Sequence, residues 1–176
     1  MKTTIQRIRK CSIVFIVISI SMLSYGQEEK SSTRLEYEYF SITPVEVYYM
    51  KNIGGVALTS TLGFTINEHL ISLNASTGGE FVILGTSSTF YQVNLVYGRE
   101  FKLSPVVHID VHAGGGIFGF NDHRELKLRR FGLPLIAKLR FKTGERFSLG
   151  LKFQANINSF KNLLATGIVL QWNSSN

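Results

Sequence analysis

Three residues able to bind a metal or move protons alternate along one stretch: His108, Asp110 and His112. Same-face neighbours on a β-strand stand about 6.8 Å apart. His108 and His112 therefore cannot share one metal ion without ligands from a neighbouring strand, and neither a metal nor another cofactor is expected. The same histidines alternate with an apolar face (Val107, Ile109, Val111, Ala113), so no Ser-His-Asp triad can be built on them and no enzymatic activity is expected. Gly114, Gly115 and Gly116 lie inside the same strand pattern. Close packing or a bulge accounts for them better than a phosphate-binding loop.

Asp110 and five further charged residues fall where apolar alternation places them on the opposite, polar face: Glu46, Glu100, Lys138, Arg140 and Lys152. If that face is enclosed, unpaired charges there are costly and mutual pairing is expected. Glu100, Asp110, Arg140 and Lys152 lie within a few residues of a short turn, which predicts a similar depth near one end. The partners expected for Lys138, Arg140 and Lys152 are Glu100 and Asp110. The bland outcome is a structural salt-bridge plug. The sharper one is an ion path or gate that opens when a pair breaks.

The element that must position these charges spans residues 131–156. Phe131, Leu133, Leu135, Ala137, Leu139 and Phe141 alternate with Gly132, Pro134, Ile136, Lys138 and Arg140. After Lys142-Thr143-Gly144-Glu145 the pattern resumes, with Phe147, Leu149, Leu151, Phe153 and Ala155 against Ser148, Gly150, Lys152, Gln154 and Asn156. Two period-2 runs joined by a Gly-containing turn predict a β-hairpin. The remaining chain divides the same way, into strands at 35–50, 56–66, from 69 onward, 90–101, 106–118 and 163–173. Pro44 predicts an edge or bulge in the first strand, and Gly78-Gly79 a bulge or bend in the third. Turns are expected at 51–55, 67–68 and 102–105, with loops at 85–88, 121–130 and 157–162. Eight strands of about ten residues suit an all-β, antiparallel, up-and-down barrel with both termini at one end.

Which face meets what decides the class. A soluble barrel points its apolar half inward, whereas a membrane barrel inverts this. Here the apolar face is nearly unbroken, and Tyr97, Phe131, Phe141, Phe147 and Trp172 stand near its strand ends, as in interfacial girdles. The polar face is rich in Gly, Ser, Thr and Asn, which fit a narrow lumen. A transmembrane barrel at residues 35–176 is expected.

The N-terminus agrees with export. Lys2, Arg7, Arg9 and Lys10 precede an apolar run at 11–23, and Ser24-Tyr25-Gly26 offers a small-x-small cleavage pattern. Residues 1–26 read as a signal peptide, the run being too short for a spanning helix, and 27–34 as a polar linker. The full chain carries a net charge of +7, and loss of those four positive charges leaves +3. So mild a charge argues against nucleic acid as a partner. Cys11 is the only cysteine, so the exported part holds no disulfide.

Residues 97–120 (YGREFKLSPVVHIDVHAGGGIFGF), followed by FGLPLIAKLRF and RFSLGLKFQ, resemble the outer membrane protein beta-barrel domain family of Gram-negative bacteria. The resemblance covers roughly the last 120 residues and implies an outer-membrane location. Its implied partners are outer-membrane lipid and, during biogenesis, the barrel assembly machinery. It carries over no catalytic residue. Barrels of this family commonly end on an aromatic residue, whereas Trp172 is followed here by Asn173-Ser174-Ser175-Asn176. The expected function is an integral outer-membrane protein with a structural or surface-interaction role and a side-chain-filled lumen. The alternatives are a narrow pore for small solutes and a soluble periplasmic ligand-binding barrel. Arg124, Lys127, Arg129 and Arg130 in the loop at 121–130 suit a solvated segment or contact with anionic head groups.

Overall fold

The computed structural model describes residues 34–81, 88–121 and 127–174. The expected signal peptide, all of the linker but Arg34, residues 85–87 of the loop at 85–88 and residues 122–126 of the loop at 121–130 lie outside these residues. The described secondary structure comprises eight strands: β1 (Glu36–Met50), β2 (Ile53–Ile66), β3 (His69–Glu80), β4 (Thr89–Lys102), β5 (Val107–Asn121), β6 (Lys127–Lys142), β7 (Phe147–Asn158) and β8 (Leu163–Asn173). Each pairs antiparallel with its chain neighbours, and β1 pairs antiparallel with β8, closing the barrel. One end carries the tight turns after β2, β4 and β6 and both strand termini; we call it the turn end. The other is the loop end.

Alternation puts the two faces where hydrophobicity says they should not be in water. Leu133, Leu135, Leu149 and Leu151 of the central hairpin point outward and are exposed, while Lys138, Arg140 and Lys152 point inward and are buried. The same inversion runs around the wall, with Val93, Leu95 and Tyr97 outside and Gln92 and Asn94 inside. The five aromatic residues expected in a girdle, Tyr97, Phe131, Phe141, Phe147 and Trp172, lie on the outer face, where Trp172 stacks on Phe40 (6.0 Å between centroids) and meets Phe147 at 5.5 Å.

Pro44 lies in a bulge: the β1 register shifts between Thr43 and Glu46 against β2 and between Ile42 and Glu46 against β8. Closure leaves no edge, so the bulge accommodates the missing N–H donor. Gly78 and Gly79 do not bend β3, which pairs without a shift through both. Their smallness serves packing instead: a Cβ on Gly78 would lie 2.4 Å from the Phe90 ring. Gly115 likewise makes room outside for Phe131, whose Cζ would be 2.7 Å from an added Cβ; neither β5 pairing is shifted there. The turn expected at 51–55 contracts to Lys51 and Asn52, which both take positive φ (33° and 69°), the signature of a type I′ hairpin turn. The loop expected at 121–130 also contracts, because β5 runs on to Asn121 and β6 begins at Lys127. Arg129 and Arg130 therefore lie on a strand, opposite Gly119 and Phe118.

The pairing has one global consequence. The rung from Glu100 passes Asp110, Lys138, Lys152, Gly167, Glu46, Ala57 and Gly78 and returns to β4 at Phe90, ten residues from its start. Strands in such a closed sheet are tilted and staggered, so one rung climbs from the turn end to the loop end.

Candidate functional site in the barrel interior

All six charges expected on the polar face point into the barrel, but five of them form two ion-paired groups and Lys138 stands apart. The first sits at the turn end. Arg140 Nε donates to Asp110 Oδ2 at 2.6 Å, and its Nη2 donates to Asp110 Oδ1 at 2.7 Å and Glu100 Oε2 at 2.8 Å. The planar guanidinium thus bridges acids from β4 and β5, a geometry that lysine cannot copy. His108 completes the group, with Nδ1 2.6 Å from Glu100 Oε1. Glu100 is the most accessible member (side chain 25 % exposed), whereas Asp110 is fully buried.

Lys152 does not join that group. Its Nζ lies 3.0 Å from Glu46 Oε1, reaching over Gly167 of β8, which pairs with both residues, and Glu46 Oε2 also accepts from Thr59 Oγ1 at 2.5 Å. Lys152 pairs with Lys138, two rungs further from the β6–β7 turn than the Arg140–Gly150 rung. That separation from the turn is what the sequence expectation of similar depth overlooked. Lys138 takes a third environment: Nζ donates to Tyr39 Oη at 3.2 Å and Ser41 Oγ at 3.3 Å, and stands 4.4 Å from the Tyr39 ring centre. Tyr39 Oη also lies 3.0 Å from Ser72 Oγ.

Neutral side chains bridge the middle of the lumen. Asn94 Nδ2 donates to Asn74 Oδ1 at 3.2 Å, Asn74 Nδ2 to Thr61 Oγ1 at 3.0 Å, and Asn156 Nδ2 to Gln92 Oε1 at 2.8 Å. His112 is buried and has no hydrogen-bond partner among the described residues. No group of three or more metal-ligating side chains occurs among those residues.

A feature the sequence reasoning missed occupies the loop end. Tyr48, Met50, Phe90, Phe118, Phe120 and Leu163 point inward and form one buried apolar cluster with Ala57 and Ala165. Tyr48 meets Phe90 edge-on (centroids 4.7 Å apart), and Phe90 stacks on Phe118 at 6.0 Å. Phe160, in the loop before β8, covers Phe120 at 5.3 Å. Asn158 shapes that loop: its Oδ1 accepts from the amides of Phe160 and Lys161 at 3.0 and 2.9 Å, and its Nδ2 donates to the Lys161 carbonyl at 2.8 Å. A signal was present. Phe90 shares the register of Gln92 and Asn94, and Phe118 and Phe120 that of His112, so bulky apolar residues break the polar face at the same end of several strands.

The closed eight-stranded fold finds counterparts among solved structures. Neisserial surface protein A superposes with a TM-score of 0.63 over 83 % of this chain and 100 % of that one, at 10 % identity. The fold is that of the small eight-stranded outer-membrane barrels. The N-terminal β-barrel domain of Pseudomonas aeruginosa OprF gives 0.58, covering 80 % of this chain and 100 % of that one at 12 % identity. Ail, the attachment invasion locus protein of Yersinia pestis, gives 0.52, with 78 % and 98 % covered at 14 % identity. No protein-family model and no curated protein sequence matches the chain.

Proposed function

We propose that this chain is an integral outer-membrane protein whose barrel is a non-conducting anchor for surface loops. The observation that carries this reading is the inversion of the faces. Leu95 (62 % exposed) and Phe131 (68 %) stand on the outside, while Asp110, Asn74 and Asn94 (0 % each) are buried inside. Such an outer surface is far larger than the apolar patches that monomeric soluble proteins tolerate, which speaks against a soluble periplasmic barrel. Two obstacles in series favour an anchor over a narrow pore: the Arg140 group at the turn end and the aromatic cluster at the loop end. An eight-stranded barrel is only just wide enough for side chains to fill. Among the described residues, no interior side chains are arranged around a reacting group, and the reading includes no catalysis.

Membrane fractionation with a heat-shift gel tests this. The unheated protein is expected in the carbonate-resistant membrane fraction, migrating faster than the boiled form. Release into the aqueous fraction would sink the membrane reading. Reconstituted liposomes should not swell in small sugars or amino acids; swelling would establish the pore instead.

A further inference from the structure

The barrel wall is closed, but β6 outruns its partner at the loop end. The last pair between β6 and β7 is Gly132 with Asn158, whereas β6 continues against β5 as far as Lys127. The Lys142 amide donates to Val106 on the β5 side, and the Thr143 amide to Phe147 on the β7 side. Neither pairing of β6 is shifted, so alternation aims the main-chain groups of Leu128 and Arg130 at β5. Those of Lys127 and Arg129 face the side that β7 has left. In continued register Lys161 would stand opposite Arg129. It does not pair there, because its amide and carbonyl both bond the Asn158 side chain, at 2.9 and 2.8 Å. The loop instead curls over the lumen, with Phe160 on Phe120 and the Lys161 ammonium 5.0 and 5.1 Å from those two rings. The Arg129 amide is left with no partner among the described residues, and the Arg129 carbonyl accepts from Arg130 Nη1 at 3.0 Å.

We propose that this free edge of β6 docks an extended, acidic segment of another polypeptide, which adds one strand beside Arg129. The inference rests on the reading of the barrel as a surface anchor and gives that anchor a class of partner. An open edge of amides and carbonyls is complementary to a second main chain. The side chains select its charge. Arg129 and Arg130 are both exposed, and neither has an ion pair among the described residues. Being adjacent, they stand on opposite faces of the strand, so two neighbouring acids on an added strand would each meet one arginine. The Arg130 guanidinium sits on the Arg129 carbonyl, the place an incoming amide would take. Displaced from it, the guanidinium is free to receive a carboxylate. A second copy of this chain fits poorly, because pairing two such edges sets arginine against arginine.

The full chain, inserted in phosphatidylcholine nanodiscs, is titrated with a fluorescent, end-blocked peptide that carries two adjacent glutamates within a run of threonine and valine. The wild type is expected to bind it and to slow exchange of the Arg129 amide roughly tenfold at saturation. Arg129→Gln removes the charge and keeps the amide, and should weaken binding about threefold. Arg129→Pro also removes the amide on the open side, where the ladder to β5 is untouched, and should weaken binding about fivefold further. The heat-shift gel confirms that each variant is inserted, and failure of the wild type to insert would overturn the membrane reading itself. An inserted wild type that does not bind the peptide overturns the docking edge; its arginines then serve only to keep other strands away. Equal binding by Arg129→Gln and Arg129→Pro, or by the wild type to a peptide N-methylated along its length, overturns strand pairing. Equal binding of a peptide with lysines in place of the glutamates overturns the acidic partner. A wild type that is dimeric without peptide and monomeric as Arg129→Pro would give the edge to a second copy and overturn the proposal.

Discussion

Arg140 stands between two acids that reach it from different strands, and this sets what its loss would do. Removing the guanidinium strands Asp110 in the dry interior, with Glu100 left to His108 alone. Breaking a buried pair this way costs about 3–5 kcal/mol, so Arg140→Ala should lower the unfolding free energy by that amount in denaturant titrations of vesicle-inserted protein. Its conductance should stay at background; unchanged unfolding with a large stable current would make the group a gate. Replacing both partners behaves differently. Glu46→Gln with Lys152→Met removes a buried pair without orphaning a charge and should shift stability by no more than about 1 kcal/mol in the same titration. The inward register of all six charges was legible in the sequence because alternation fixes sidedness. Their pairing was legible for Arg140, which meets Glu100 and Asp110 as expected, but not for the lysines. Which side chains meet over an intervening strand depends on the register in which β1 closes on β8, which no single hairpin reveals, and so Lys152 was expected beside Glu100 and Asp110 rather than Glu46.

At the level of strands and turns, glycines decide where bulky rings fit. A Cβ on Gly63 would fall 2.2 Å from the Tyr39 ring, whereas nothing lies within 4 Å of one on Gly144. Gly63→Ala must push aside a ring that also holds Ser72 and Lys138, and we expect a loss of roughly 1–3 kcal/mol. Gly144→Ala, in an open turn, should be neutral or stabilising by up to about 1 kcal/mol. Thermal or denaturant unfolding of the two variants side by side checks both. The hairpin at 131–156 could be read almost residue by residue, because its two runs hold period 2 without a break. Gly78-Gly79 misled, since glycine in a strand marks either a bend or a close approach, and only the partner strand, with Phe90, tells which. The contraction of the loop at 121–130 escaped for a related reason. Charged residues can extend a strand beyond the apolar band, as Arg129 and Arg130 do.

For the molecule as a whole, the interior is graded, with ionic contacts at the turn end, neutral polar bridges in the middle and aromatic packing at the loop end. The aromatic cluster should be the tighter seal. Phe90→Ala with Phe118→Ala removes two rings that stack on each other and should raise small-ion conductance in planar bilayers well above that of Arg140→Ala. Equal, background currents from both variants would mean that the middle of the lumen is closed on its own.

The β1–β8 pairing carries a kinetic meaning. Seven of the eight pairings join strands adjacent in the chain, so each can form as a local hairpin. The eighth joins Glu46 to Gly167 across nearly the whole domain, and loop-closure entropy makes such a contact late and slow. Until it forms, β1 and β8 each present an unsatisfied edge. The Pro44 bulge lies in that seam and distorts β1 against both neighbours at the same place. A misaligned closure would set the bulge against straight backbone, so the bulge favours one register of closure over its neighbours.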